Sequence, residues 1–166
     1  RMSAPANNRD KSIVTHARVV AHLSQNFGGG NSENHWSVYF LLQGRGSVRM
    51  NMFTPKYGVK EGRLELSIYD YELPTSALKH WDYKMTEGKT FEDVRDFVSK
   101  NRRHHYDFSG GGSGCRYWCY TIMNDFEQCG YIPEGSVQHL WPGLQYLYSK
   151  SRDPSPLQWI EGKFFY

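Results

Sequence analysis

Cysteine is scarce in this chain of 166 residues: there are three, Cys115, Cys119 and Cys129. An odd number clustered late argues against the disulfide framework of a small secreted domain. The spacing C-x3-C-x9-C also lacks the paired C-x2-C of a structural zinc site. Neither a metal nor another cofactor is expected, and a reducing, cytoplasmic setting is the simplest inference. Long apolar runs are missing as well. The longest clean one, Val38 to Leu42, falls far short of the roughly 18 residues a spanning helix needs, so no membrane span is expected. Residues 1–5 (Arg-Met-Ser-Ala-Pro) contain no apolar stretch of the kind a signal peptide uses. Charge of one sign is also lacking, with 20 Lys and Arg against 17 Asp and Glu, a net of +3. A nucleic-acid binder usually carries a larger excess and a basic stripe. The densest basic cluster, Arg102-Arg103-His104-His105, reads as a solvated helix end, so nucleic acid is not the expected partner. No internal repeat or low-complexity tract is visible.

Aromatic residues are abundant: 12 Tyr, 9 Phe and 5 Trp make up 16% of the chain. Such a chain can fill a core with few residues and line a pocket with the surplus. Length and composition fit one globular domain over residues 11–166 behind a disordered tail, 1–10. Residues 13–23 (IVTHARVVAHL) are β-branched and read as a strand. Gln25 to Asn34 reads as a loop, and its Gly28-Gly29-Gly30 triplet lacks the spacing of a phosphate-binding loop. Three strands follow, at 35–43, 47–54 and 63–71. The first two are joined by a tight turn at Gly44-Arg45-Gly46. Val48, Met50 and Met52 share one face of the second strand, and Leu64, Leu66 and Ile68 one face of the third.

The second half reads as helical. Thr90-Phe91-Glu92-Asp93 resembles a capping box with Asp in the fourth place, and Phe91, Val94, Phe97 and Val98 give a helix to about Lys100. A glycine-rich loop, Ser109 to Gly114, precedes a helix from about Cys115 to Cys129. A third helix is expected from Ser136 to Ser149, interrupted by Pro142, with a last strand in 162–166. Strands first and helices second give an α+β fold, an antiparallel meander followed by helices.

The helix from Cys115 carries the sharpest chemistry. Cys115, Trp118, Cys119, Ile122, Phe126 and Cys129 form one apolar stripe at i, i+3, i+4, i+7, i+11 and i+14. Cys115 opens that stripe at the helix N-terminus, where unpaired N–H groups and the helix dipole favour a thiolate. The glycine-rich approach admits substrate close to the backbone, and its N–H groups can stabilise an oxyanion. Cys119 and Cys129 read as small buried hydrophobes. A nucleophilic thiol needs a base, and His35, opening the strand H-W-S-V-Y-F-L-L, is best placed by pattern. His104, His105 and Tyr106, on the run-in to the loop, are candidates for lining the site together with Ser113, Gly114 and Arg116. Nothing in the sequence around His16, His22, His80 or His139 singles them out.

An H-W-x-V-Y strand followed much later by a cysteine at a helix start resembles the circularly permuted papain-like fold. That group includes the lecithin–retinol acyltransferase, PPPDE and permuted NlpC-type families. The resemblance covers residues 35 to 130 in the order of elements. It implies His35 as the family histidine and Cys115 as the nucleophile. The orienting polar residue would be Asn51, with Glu65 as the second choice. The N-C-E-H-F type signature is replaced here by G-C-R-Y-W-C, so substrate does not transfer. The sequence also looks like a small fungal protein family, which would fit a metabolic role. The implied activity is a thiol-dependent hydrolase or acyl or amide transferase acting on a small-molecule or peptide-like substrate.

Two rivals use the same stretch. Ser113 as a serine nucleophile would need G-x-S-x-G, and Cys115 stands where the second glycine belongs. A non-catalytic module could instead hold an acidic small molecule at the glycine-rich loop and helix N-terminus, with Arg103 and Arg116 close by. The thiol reading requires His35 and Cys115 to meet. That works most simply if the helix covers the face of His35, Ser37, Tyr39 and Leu41. The opposite face of Trp36, Val38, Phe40 and Leu42 is the more apolar, so burial of both faces by the aromatic surplus is the expectation that reconciles the two.

Overall fold

In the computed structural model, the described residues are 9–23, 34–56, 58–109 and 113–166. The Gly28–Gly30 triplet, most of the tail and the middle of the Ser109–Gly114 loop lie outside them. Five strands form one antiparallel sheet: β1 (Val14–His22), β2 (His35–Leu42), β3 (Ser47–Phe53), β4 (Arg63–Tyr69) and β5 (Ala77–Lys84). Their order is β4-β3-β2-β1-β5, so the meander runs outward from β1 and β5 returns to close its other edge. The β2–β3 turn relies on Gly44 and Gly46, both at positive φ. A Cβ on Gly46 would come within 2.6 Å of the Tyr69 carbonyl oxygen. Only glycine fits that turn.

Helix α1 (Phe91–Lys100) starts with the expected box: the Thr90 side chain accepts from Asp93 N–H, and the Asp93 carboxylate accepts from Thr90 N–H. Asp10, within the sequence expected to be tail, accepts from Arg95 at 2.7 Å. Helix α2 (Cys115–Gln128) follows the two-residue strand β6 (Tyr106–Asp107). The third helix is much shorter than the spacing suggests. Helix α3 (Ser136–Leu140) is followed by Trp141–Gln145, which continue as a 3₁₀ turn with Pro142 near its start. Proline lacks the N–H an α-helix would need there. Gly135, at positive φ, takes the cap position expected of Ser136, whose hydroxyl donates to the Pro133 carbonyl. Short strands β7 (Tyr146–Leu147) and β8 (Ser155–Pro156) pair with each other, and β9 (Lys163–Phe164) pairs with β6. The architecture is α+β.

Helix α2 lies on the Trp36–Leu42 face of β2, not on the face of His35. Phe40 packs edge-on against Phe91 (6.1 Å between ring centroids) and Phe126 (5.8 Å). Val38, Val48, Met50, Met52, Leu64, Trp118, Ile122 and Phe126 are fully buried with it. The helix takes this face because it offers the larger contiguous apolar area, and burial free energy scales with that area. The other face is covered too. Val20, Tyr39 and Leu41 form a second small cluster with Tyr69 and Ala77 against it.

Candidate functional site

The start of α2 is built around Gly114. Its φ of 130° lies in the region open to glycine, and a Cβ there would come within 2.7 Å of the Tyr106 hydroxyl. That hydroxyl donates to the Gly114 carbonyl at 2.6 Å and accepts from Gly162 N–H at 3.0 Å. Tyr106 is fully buried and ties β6, the helix start and the C-terminal segment together. Its burial holds the phenol well above its ordinary pKa. Ser113 closes the loop through its carbonyl, which accepts from both the backbone and the hydroxyl of Ser109.

Cys115 is buried at this junction, and its Sγ lies 3.8 Å from the carbonyl oxygen of Asn34, the residue directly before His35. Among the described residues no side chain caps α2, and its first turn carries no acidic residue, so nothing from the first-turn side chains cancels the dipole's positive end. The other two thiols differ from each other. Cys119 is fully buried, which pushes its pKa well up. Cys129, expected in the buried stripe, is exposed because α2 ends at Gln128 and leaves Cys129 as its C-cap.

His35 lies on the face away from α2. Its Nε2 contacts Asn51 Oδ1, the polar atom suggested by the family resemblance. Asn51 is opposite Glu65 in the β3–β4 register. An amide oxygen can only accept, so Nε2 carries the hydrogen and Nδ1 is left as the basic nitrogen. Burial lowers the His35 pKa to about 4, opposed by the Asn51 contact and reinforced by Arg49. At neutral pH the imidazole is therefore uncharged.

A second histidine, without any signal in the sequence, belongs to the same cluster. His22 is the register partner of His35 across β1 and β2, with ring centroids 6.1 Å apart. Arg49 Nε donates to Ser37 Oγ at 3.0 Å. The Ser37 hydroxyl can then donate to His22 Nε2 at 2.7 Å, and His22 Nδ1–H to Ser76 Oγ at 3.0 Å. Each group in this chain has one consistent role, with His22 neutral. Burial, and then the charge of Arg49, lower its pKa to about 3. Pairing of β1 with β2 brings His22 here, and the strand sequences taken singly do not reveal it.

The remaining expected site residues are placed as follows. His104 and His105 are half-buried in the turn after α1, with rings 4.1 Å apart and His105 stacked on Phe165 at 5.4 Å. Arg116 is buried; its guanidinium donates to the carbonyls of Leu144 and Gln158 and lies over the Trp159 ring. Arg103 pairs with Asp125 at 2.6 Å. Both arginines of the anion-binding rival are thus held by protein groups. Among the described residues no set of three or more His, Cys, Asp or Glu is arranged to hold a metal ion, and no helix is long and apolar enough to cross a membrane.

No curated protein matches the chain, and no solved structure does. The profile of the family described as Domain of unknown function (DUF7770) matches residues 17–165, and the chain belongs to that family.

Proposed function

We propose that the protein is a thiol-dependent hydrolase or acyl transferase, with Cys115 as nucleophile, His35 as base and Asn51 orienting the base, in a permuted papain-like arrangement. The observation that carries this reading is the pairing of two contacts. His35 Nε2 is held by Asn51 Oδ1, which leaves Nδ1 basic, and Cys115 Sγ lies against the carbonyl of the residue next to His35. His35 and Cys115 flank opposite faces at the start of β2, so in the reaction the Cys115 proton passes around that strand end through a bridging water to His35 Nδ1 as Sγ bonds to a substrate carbonyl carbon, and the carbonyl π pair moves to its oxygen. First-turn N–H groups of α2 stabilise that oxyanion. Collapse breaks the bond to the leaving group, which departs with the proton from His35. Water or a second nucleophile then attacks the thioester, gives its proton to His35, and frees the product as the thiol reforms.

Iodoacetamide labelling read by peptide mass spectrometry tests the assignment without a substrate. Cys129 reports accessibility alone and Cys119 a buried thiol. The expected result is rapid labelling of Cys115 despite its burial, cut at least about tenfold in His35→Ala, with Cys129 unchanged. Slow labelling of Cys115, or labelling indifferent to His35, overturns the assignment.

A further inference from the structure

A cleft of about 530 Å³ opens on the helix-covered face at the β5 edge. Trp81, Tyr146 and Tyr148 wall it with Pro142 and Pro154, and Lys79 lines it as well. A volume of this size suits a small organic ligand. The Trp81 ring is fixed: a Cβ on Gly143 would come within 2.5 Å of it, so the indole lies directly against the Gly143 backbone. Behind it Trp36 stacks on Trp81 (5.4 Å between centroids, 19° between planes) and meets Tyr148 edge-on. Trp36 is only 1% exposed, and its indole N–H has no partner among the described residues.

The cleft is tied to the candidate dyad on both sides. Asn34, which precedes His35, accepts from Tyr148 N–H at 2.7 Å and donates to the Tyr148 carbonyl at 2.9 Å. Arg116, which follows Cys115, donates to the Leu144 carbonyl. The 144–148 wall is therefore pinned by the immediate neighbours of both proposed catalytic residues. Ala21 is the register partner of both Trp36 on β2 and Lys79 on β5. The cleft and Cys115 thus share one face and one end of the sheet, with β5 two strand spacings or about 10 Å from β2, while His35 lies on the other face at the same end.

We propose that this cleft is the substrate subsite for a planar aromatic ring bearing a carboxyl-derived group, an assignment that rests on the thiol reading above. Walls of tilted aromatic rings favour a π face over an equally large aliphatic ring, and the Lys79 ammonium complements a negative substituent.

The test uses 2-naphthoate as probe and cyclohexanecarboxylate as an equally charged control without a π face. Titration is followed by the indole N–H resonances of the 15N-labelled protein, while the iodoacetamide rate at Cys115 is measured in the same samples. Expected results are a saturable shift of the Trp81 resonance by naphthoate, at least about threefold weaker binding of the control, and slower Cys115 alkylation as the cleft fills. Tyr146→Ala, at a position 38% exposed on the cleft wall, should raise the naphthoate concentration needed for both effects by about three- to tenfold. No Trp81 shift, equal binding of the control, or a saturated cleft that leaves Cys115 alkylation unchanged overturns the subsite. If Cys115 is unreactive from the outset while Trp81 still titrates, the thiol reading has failed: the cleft is then a ligand site, and its assignment as a substrate subsite falls.

Discussion

The two faces of the five-stranded sheet are buried at its centre by different means. On one face Phe40, Val48, Met50 and Leu64 meet α1 and α2 in a continuous apolar layer. On the other, three apolar side chains (Val20, Tyr39 and Leu41) share the surface with His22, His35, Ser37, Arg49 and Asn51. The first face is held by area removed from water, which is tolerant of detail and large in sum. The second is held by directed contacts, each modest when made and costly when one partner is lost. A sheet needs one such apolar face to fold. A second face wired with neutral histidines and an arginine is more than folding requires, and perturbed titratable groups gathered in one place are the usual mark of a functional site.

The largest separation between the faces should come from truncating the apolar one. Phe40→Ala removes a ring packed against both α1 and α2 and should cost about 3–5 kcal/mol, read as a lower urea midpoint with little change in slope. A loss below about 1 kcal/mol would mean that the helices do not depend on this face.

Acid should single out the polar face. His35 titrates at about 4 and His22 at about 3 in the folded protein, both lowered mainly by burial, against an ordinary value of 6.5. Below 6.5 the unfolded chain binds protons that the folded chain does not, so stability falls as pH drops. The stabilisation is complete above about pH 6.5. The loss contributed by His35 levels off near pH 4 and that of His22 near pH 3. Urea midpoints measured from pH 7 to pH 4 should decline, and His22→Gln should flatten the decline. An unchanged slope in that variant would show that His22 is not held neutral by the fold.

Ser37→Ala sharpens the contrast further. It removes one hydroxyl but leaves both Arg49 Nε and His22 Nε2 without the partner they share, so a cost of about 1–3 kcal/mol is expected. The same change should alter the His22 ring resonances. Cys115 labelling should stay as in the parent protein, because the proposed base is oriented by Asn51 and not by Ser37.

How far each region could be read from the chain follows the same division. The apolar face is a matter of alternation within single strands, so Val48-Met50-Met52 and Leu64-Leu66-Ile68 announce it. The strand β5 escapes because Lys79, His80, Asp82 and Lys84 interrupt the pattern. Only Trp81 and Tyr83 alternate, which suffices at an edge where one side of the strand has no partner. The length of α3 is overestimated because Val137, Leu140 and Leu144 keep a helical spacing while Pro142 removes the backbone donor that spacing assumes. For the polar face, His35 and Asn51 are reachable through the family resemblance. Ser37 shares the face of His35 by alternation within one strand, whereas His22 joins them only through strand register, and register is a property of two segments at once. The Trp81 cleft depends on a return of the chain at 141–148 that no local pattern marks.

The smallest effect belongs to the rim of the polar face. Arg18 on β1 holds Asp82 on β5 through two parallel hydrogen bonds of 2.7 and 2.9 Å and also donates to the Glu72 carbonyl. The arginine side chain is 15% exposed and the aspartate 36%. Burial tends to raise the Asp82 pKa, but the contact and charge of Arg18 prevail and lower it. Solvent screens a pair this open, so the two-pronged geometry is what gives it any weight. Asp82→Asn keeps the size and one acceptor but removes the charge. A loss of about 0.2–1 kcal/mol is expected at low salt, shrinking as ionic strength rises and the Debye length falls below about 10 Å. The parent protein should lose stability with salt by the same increment, so the two curves converge. A loss above 2 kcal/mol, or one indifferent to salt, would mean that the pair is buried in function if not in area. The polar face would then extend to β5 as one electrostatic unit rather than ending at His22 and Ser37.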